Sequence, residues 1–269
     1  MTTDKQDIME VQLRWEGAIA VLTINNPSRR NALSDSVNSD LLRHMSDLTA
    51  DRKCRAIVLT GAGNLFCAGG DVKAMMARAA PDIGVIPRRL RFASVYHPIL
   101  RLMVEGPKPL VSAVEGVAYG GGLAFAVAAD YTVAASNTRF SAAQVLRGVC
   151  PDVGLYYVLT ARTGPGRARE LLLSGREFNA VDGEKYGVVH ERVEPGKALE
   201  AAMKAAERFM AVPPLAFALT KSAMTHSYHT LEATFRAECD YQPVVGLSKD
   251  HRESVAAFLE KRTPHYTGE

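Results

Sequence analysis

The chain has 269 residues, of which 47% are hydrophobic and 23% charged, so it is long enough to bury a large core in one domain or a domain with a smaller appendage. Its 32 basic and 29 acidic residues are interspersed and give a net charge of +3, which offers no electrostatic basis for binding nucleic acid or a membrane surface. The four cysteines are widely spaced and the polar N-terminus lacks the apolar segment of a signal peptide, so we expect a cytoplasmic protein with reduced thiols and no structural metal.

The first sixty residues predict a hairpin, a helix and a buried strand. Residues 11–14 and 18–24 alternate in hydrophobicity around a Glu-Gly turn, the pattern of two paired strands. Ser34 is placed to cap the next helix. The apolar residues of that helix fall on one face: Val37, Leu41, Leu42, Met45 and Leu48. Residues 55–60 are a short apolar run that favours a buried strand.

A strand-to-helix junction in the middle of the chain contains three consecutive glycines. Residues 110–114 read as a buried strand and residues 123–129 as a helix, with Gly120 to Gly122 between them. Such glycines favour the close approach of bare backbone. A helix that begins there presents unpaired N–H groups and the positive end of its dipole, which suits an oxygen that becomes negative. Tight packing of the helix on the sheet is the alternative, and both remain open on this stretch alone.

A second small-residue junction, at residues 64–73, follows the strand at 55–60 and precedes a helix through residues 75–78. Two junctions of this kind after two buried strands would place two backbone N–H groups around one point. Residues 81–88 contain two prolines and a glycine and predict a mobile connection before a helix from Arg88 to about Glu105.

The remainder of the chain alternates strands and helices before becoming helical. In order, it predicts strands at 131–135 and 139–141, a turn at 148–154, a helix from Leu155, a strand at 188–193, and final helices separated by Pro213-Pro214 and Pro243. The nucleophile elbow, the P-loop and the HExxH motif are absent from the sequence. Backbone electrostatics is therefore the leading hypothesis for the chemistry.

Four sequence features together carry a family resemblance. They are Asn31-Ala32-Leu33 after a proline-bearing loop, Phe66-Cys67-Ala68-Gly69-Gly70-Asp71-Val72, Gly116 with Gly120-Gly121-Gly122, and residues 180–189 with the tail at 257–262. In order and approximate spacing they resemble the crotonase superfamily of enoyl-CoA hydratases and isomerases, over nearly the whole chain.

This resemblance implies an α/β fold, a crotonase-like spiral of ββα turns with a C-terminal helical trimerisation region. It divides the chain into a core domain at residues 1–205 and a helical region at 206–269. The implied ligand is an acyl-CoA, so that coenzyme A arrives with the substrate and no further cofactor is expected. The implied assembly is a homotrimer or a dimer of trimers, without a nucleic-acid or membrane partner.

The resemblance also assigns roles to individual residues. The N–H groups of Gly70 and Gly121 would polarise the thioester carbonyl, and one such donor stabilises an oxyanion by roughly 3 to 4 kcal/mol in well-studied cases. The residues implied in binding coenzyme A are Ala32, Ala68, Asp71, Phe258 and Lys261, the last two often from a neighbouring subunit. Alternatively, Phe258 packs in the core with its apolar neighbours on the same helical face, and the lysine is merely solvated.

The side chains around this site decide which reaction is favoured. Family hydratases use two glutamates, and this chain has Ala124 and Gln144 at the matching positions. Glutamine can position a water molecule but cannot take its proton at neutral pH. Asp152 matches an acid of family members that shift double bonds, a reaction for which one base suffices. The alternative role for Asp152 is to cap the helix that begins near Gly154.

His97 is the other titratable candidate. Chlorobenzoyl-CoA dehalogenases of the superfamily combine a histidine at this place with an aspartate at that of Asp152, but the aromatic residue that they place at position 144 is missing here. A lone histidine on a helix is more often a core or surface residue. The sequence favours an enoyl-CoA isomerase, with a hydratase as the alternative and a dehalogenase-like hydrolase or a CoA-binding protein of little activity behind it.

Overall fold

The structure, a computed structural model, describes residues 10–78, 84–227 and 229–269. Its strands are β1 (Val11–Glu16), β2 (Ile19–Ile24), β3 (Ala56–Gly61), β4 (Leu110–Val114), β5 (Val117–Tyr119), β6 (Tyr131–Ala135), β7 (Arg139–Ser141), β8 (Phe178–Asn179) and β9 (Glu191–Val193). Its helices are α1 (Asp35–Ala50), α2 (Val72–Arg78), α3 (Val85–Arg91), α4 (His97–Glu105), α5 (Gly121–Ala128), α6 (Leu155–Ser174), α7 (Ala180–Lys185), α8 (Ala198–Met210), α9 (Pro214–His226), α10 (Leu231–Gly246) and α11 (Lys249–Glu260).

The strands form one large and one small sheet. The large sheet has the order β1-β2-β3-β4-β6-β9, in which β1 and β2 are the expected antiparallel hairpin and the other neighbours are parallel. The small sheet has the order β5-β7-β8. Strands β3 and β4 are buried along almost their whole length, which explains why they read as unbroken apolar runs rather than as alternating ones.

Both faces of the large sheet are covered. On one face, alternate strand residues pack against the alanine-rich side of α8, whose small side chains let the helix lie close to the sheet. On the other face lies the main core, which includes α1 and α5. Helix α1 begins as predicted, because the hydroxyl of Ser34 accepts a hydrogen bond of 3.1 Å from the N–H of Val37. Its expected apolar face is buried, with Leu42 only partly so.

The chain leaves the large sheet at the glycine-rich junction. Strand β4 pairs with β3 and β6, whereas β5, two residues further on, pairs with β7 in the small sheet. Helix α5 then begins at Gly121, and all eight of its residues are buried. The junction at residues 120–122 therefore lies where both sheets meet the central helix.

Three sequence predictions differ from the structure. Residues 81–83 of the expected mobile connection lie outside the described residues, but residues 85–88 are helical, since Pro87 falls in the first turn of α3, where proline is tolerated. The helix continues through a π-helical segment, Phe92–Tyr96, into α4. Pro243 lies inside α10 instead of ending it, and Ser248 caps the next helix. The strand expected at 188–193 starts only at Glu191.

The C-terminal helices follow α8. Helix α9 is joined to the core by an ion pair between Lys221 and Asp130, with 2.7 Å between Nζ and Oδ2. The expected division between residues 205 and 206 falls within α8 and stays a prediction. No helix in the described ranges has the length and apolar character needed to cross a bilayer.

Candidate active site

The two small-residue junctions are in direct backbone contact. The N–H of Cys67 donates to the carbonyl of Val117 at 3.1 Å, and the N–H of Tyr119 donates back to the carbonyl of Cys67 at 3.0 Å. A Cβ built on Gly122 would lie 2.4 Å from the Cys67 carbonyl oxygen, and one built on Gly69 would lie 2.8 Å from that of Tyr119. Such distances are closer than any real side chain tolerates. Only glycine at residues 69 and 122 allows this approach.

The N–H groups of Gly70 and Gly121 are turned away from these contacts. Gly70 forms a parallel bridge with Leu33, in which the Leu33 N–H donates to the carbonyl of Gly69 at 2.8 Å. In this parallel bridge Leu33 bonds to the residue before Gly70, so the N–H of Gly70 itself points away from Leu33. Gly121 is the first residue of α5, so its N–H has no acceptor within the helix, and the dipole of α5 adds positive potential there.

Leu33 connects the two glycines. It pairs with Gly70 through the backbone, and its Cδ1 lies 2.7 Å from the position that a Cβ on Gly121 would take. Tight packing explains Gly122 and applies to Gly121 as well, since its Cβ would meet Leu33, while the N–H of Gly121 has no acceptor within the helix. Close packing and an unpaired N–H thus occur together in the glycine run. The oxyanion role of Gly70 and Gly121 stays a prediction.

The loop before α6 approaches the same junction in a strained conformation. Val153 has a φ of +53° and Gly154 a φ of +68°. Positive φ is a genuine outlier for a β-branched residue such as valine, and costs of order 1–3 kcal/mol. The Val153 side chain is buried, with Cγ2 3.5 Å from a Cβ built on Gly121. Packing against the start of α5 thus holds the loop, and with it the preceding residue, in place.

Asp152 has a side-chain partner beside the junction. Its Oδ1 accepts a hydrogen bond of 3.1 Å from Nε2 of Gln144. The Gln144 amide in turn lies 3.4–3.5 Å from a Cβ built on Gly120. Burial raises the pKa of the Asp152 carboxyl above its ordinary value, and the Gln144 hydrogen bond offsets part of this rise.

The cap hypothesis for Asp152 is wrong. Helix α6 begins at Leu155, its N-cap is Gly154, and no side chain accepts a hydrogen bond from its first turn. The left-handed conformation of residues 153 and 154 turns the chain before the helix starts, and the N–H of Leu155 donates to the backbone carbonyl of Asp152 at 3.0 Å rather than to its carboxylate. The carboxylate of Asp152 is therefore not engaged in capping α6.

The positions at which family hydratases have glutamates carry no charge. Ala124 is completely buried in α5, and Gln144 is 9% exposed. In the part of the chain that the structure describes, the carboxylate bonded to this group is that of Asp152. A glutamate at position 124 would have to displace core side chains around α5.

His97 is the first residue of α4 and is exposed. Its ring lies 6.3 Å from that of Phe92, centroid to centroid, with a tilt of 41°. Leu100, three residues later on the same helical face, packs at the start of α6, with Cδ2 2.0 Å from a Cβ built on Gly154. Helix α4 therefore packs against the start of α6 through Leu100. A catalytic role for His97 stays a prediction.

The loop that carries Ala32 is built into the same junction. The N–H of Ala32 donates to the carbonyl of Arg29, and that of Ala68 donates to the carbonyl of Arg30, both at 3.1 Å. Asn31, which the sequence offered only as part of the family resemblance, holds this loop from the side, since its amide donates to the carbonyls of Ala62 and Leu65. Asn31 has a φ of +53°, a left-handed conformation in which asparagine is enriched over most other residues.

Asp71 has structural partners in this chain. Its Oδ1 accepts from the N–H of Ala74 at 3.1 Å, which caps α2, and its Oδ2 lies 3.1 Å from the guanidinium of Arg29. The Ala74 N–H is the main cause of the lowered pKa of Asp71, with Arg29 contributing. Contacts of Ala32, Ala68 and Asp71 with coenzyme A stay predictions.

The C-terminal candidates lie on the surface. Phe258 is 83% exposed and Leu259 75% exposed, so the alternative that Phe258 is a core residue of this chain is wrong. The buried residue of this turn is Ala257, which places Phe258 on the outer side of α11. Lys261 ends the helix in a left-handed conformation. Their contacts with coenzyme A stay predictions too.

Comparison with known proteins identifies the family of this chain. A family model described as enoyl-CoA hydratase/isomerase matches residues 14–269. The chain belongs to this family. A 1,2-epoxyphenylacetyl-CoA isomerase from Escherichia coli (strain K12) is 33% identical over 257 residues, which cover 94% of this chain and 96% of the relative. A short-chain-enoyl-CoA hydratase from Clostridium acetobutylicum is 30% identical, with 95% and 97% covered.

Solved structures of the enoyl-CoA hydratase/isomerase family have the same fold. The crystal structure of an enoyl-CoA hydratase from Polaromonas sp. JS666 superposes with a TM-score of 0.88 at 31% identity, covering 95% of this chain and 99% of that one. The family resemblance and the crotonase-like α/β fold are therefore confirmed. Trimerisation through the C-terminal helices remains a prediction. An acyl-CoA substrate is consistent with membership of the family.

Proposed function

We propose that this family member moves the double bond of an enoyl-CoA through a thioester dienolate, with Asp152 as the single base. The observation that carries the proposal is the Asp152 carboxyl, bonded to Gln144 beside the glycine junction, while both hydratase positions lack a carboxylate. The raised pKa of Asp152 supports it, because a stronger base removes a carbon-bound proton more readily.

For a 3-enoyl-CoA, the reaction needs two proton transfers and no other reactant. The carboxylate takes a proton from C2, and the electron pair moves towards the thioester oxygen, giving a dienolate. The N–H groups of Gly70 and Gly121 would stabilise the negative oxygen. Asp152 then returns the proton to C4, so that the double bond lies between C2 and C3 and the carbonyl is restored.

Hydration of a 2-enoyl-CoA is the alternative, and the hydratase names of several relatives favour it. Here Gln144 would orient a water molecule and Asp152 would have to deprotonate it. The isomerase name of the Escherichia coli relative supports the first proposal. A dehalogenase-like hydrolase that uses His97 with Asp152, or a CoA-binding protein of little activity, has less support.

Incubation of the protein with a 3-enoyl-CoA tests the proposal. We expect the ultraviolet absorbance of the conjugated thioester to rise, and Asp152→Asn to abolish the rise while coenzyme A binding persists. Asp47→Asn, the same change at an exposed carboxylate of α1, is the matched control and should keep full activity. Activity retained by Asp152→Asn would exclude this base. Conversion of a 2-enoyl-CoA by water at a higher rate would favour the hydratase.

We further propose that the protein forms a homotrimer or a dimer of trimers in the cytoplasm. The exposed apolar side chains at the C-terminal end, Leu247, Phe258 and Leu259, support an assembly that covers them. Light scattering coupled to size exclusion measures the mass directly. A monomeric mass for the wild-type protein would contradict the proposal, and Phe258→Ser should shift an assembled protein towards smaller species.

A further inference from the structure

The backbone carbonyl of Gln144 accepts two hydrogen bonds, whereas its side chain makes one. Its carbonyl accepts from the N–H groups of Arg147 at 2.9 Å and Val149 at 3.2 Å, which fixes the turn after β7. Its side chain is buried against Gly120, where a Cβ would lie 3.4 Å from the amide carbon. The absence of a side chain at residue 120 provides the space that this amide occupies.

The amide is only half satisfied. Nε2 donates to Asp152, whereas the buried Oε1 has no hydrogen-bond partner among the described residues. A buried polar atom without a partner is costly and calls for a physical reason. A methionine would fill the same space without this cost. The amide is thus poorly explained by packing, and its one bond is the one to Asp152.

That bond sets both the direction and the charge of the carboxylate. It occupies Oδ1, which leaves Oδ2 to exchange protons, and a donor to a carboxylate favours the ionised form. Among the described residues, the ion pairs of the structure do not include Asp152, and the titratable group of α6 that faces it is the phenol of Tyr156. Burial raises the pKa of Asp152, and the hydrogen bonds from Gln144 and from the backbone of Asp152 itself lower it.

We propose that Gln144 is the positioning residue for the base: its amide N–H holds Oδ1 of Asp152, aims Oδ2 at the substrate and keeps the carboxylate ionised. The proposal rests on the isomerase function proposed above. Gln144, at a position where family hydratases have a glutamate, thus has a different role in this chain. Gln144 touches neither the transferred proton nor the dienolate, and it acts through Asp152.

Two variants and a pH profile test this role. Gln144→Met keeps the volume and removes the donor, and Gln144→Glu keeps the shape but adds a like charge at neutral pH. We expect the acidic limb of kcat/KM for 3-enoyl-CoA to move upward by about one pH unit in Gln144→Met. It should move further in Gln144→Glu. The plateau should fall about tenfold in both, since the base is less well aimed.

The outcomes separate the two proposals. If Asp152→Asn is inactive but both Gln144 variants keep the wild-type limb, the positioning role is overturned and the isomerase function stands. A lower plateau without a shift of the limb also overturns it, because general structural damage would do the same. If Asp152→Asn remains active, the proposed function itself fails. Circular dichroism and coenzyme A binding verify that each variant is folded, and Gln144→Glu covers the case in which Gln144→Met is not.

Discussion

Replacing Lys221 by methionine should destabilise the protein strongly, because it removes half of a buried ion pair. The Lys221 side chain is 7% exposed and that of Asp130 is 19% exposed. Nζ of Lys221 also donates to the carbonyl of Lys108 at 3.3 Å, and Oδ2 of Asp130 also accepts from the N–H of Leu110 at 2.8 Å. Without the ammonium group, that N–H is the direct hydrogen bond left to a buried carboxylate.

Breaking a buried pair from one side costs about 3–5 kcal/mol. This is a large share of the roughly 5–15 kcal/mol by which a domain is stable. At roughly 2–4 °C per kcal/mol for a chain of this size, Tm should fall by about 6–20 °C. The double variant Lys221→Met/Asp130→Leu should recover much of the loss, since the unpaired charge is removed as well.

The penalty of Lys221→Met should depend on pH through the pKa of Asp130. Burial raises the pKa of Asp130 even with Lys221 present, and loss of the lysine should raise it further. An acid with a raised folded pKa favours the folded state most below its unfolded pKa, and this contribution is lost as pH rises through the folded pKa. The penalty of Lys221→Met in urea unfolding should therefore shrink from pH 7 to pH 5. A loss below about 1 kcal/mol, or one that is the same at both pH values, would refute the reasoning.

Three further predictions concern the site and its support. Activity should fall on acidification, with a midpoint above the ordinary pKa of an aspartate. The reason is that burial raises the pKa of Asp152, which must be ionised to act as a base. A pH–rate profile without such an acidic limb would contradict this. Gly122→Ala should cost about 1–3 kcal/mol or more in thermal unfolding, because its Cβ would meet a carbonyl oxygen at 2.4 Å, whereas Gly166→Ala, with nothing within 4 Å, should be harmless. Asp71→Ala should cost about 1 kcal/mol through the lost cap, and Arg29→Ala at most about as much, since its side chain is 57% exposed; equal losses above 2 kcal/mol would contradict the assignment.

Local chemistry made much of the fold predictable. Ser34 and the apolar stripe of α1 lie within one helix, so their spacing alone identifies its start and its buried face. The same holds for β3 and β4, whose burial on both faces leaves continuous apolar runs. Pro243 was predicted to separate two helices because proline disrupts a helix locally. In the structure α10 continues past Pro243 and ends three residues later, at Gly246.

The site was harder to predict, because its parts meet only through tertiary structure. The sequence could indicate that two glycine junctions follow two strands, but their contact depends on the β3-β4 pairing and on the exit of β5 into a second sheet. The hydrogen bond between Gln144 and Asp152 joins residues eight positions apart, and no periodicity predicts it. The strained φ of Val153 has no sequence signature, since a β-branched residue is a genuine outlier in this conformation.

The left-handed pair at Val153 and Gly154 also bears on ligand affinity. A flexible loop next to a ligand must lose conformational entropy when the complex forms, and this loss weakens binding. Here folding has already restricted the loop, since packing on α5 maintains an unfavourable valine conformation in the free protein. The ordering cost therefore reduces the stability of the fold instead of the affinity for the ligand. Val153→Gly would relax the loop, so the fold should become more stable and ligand binding weaker.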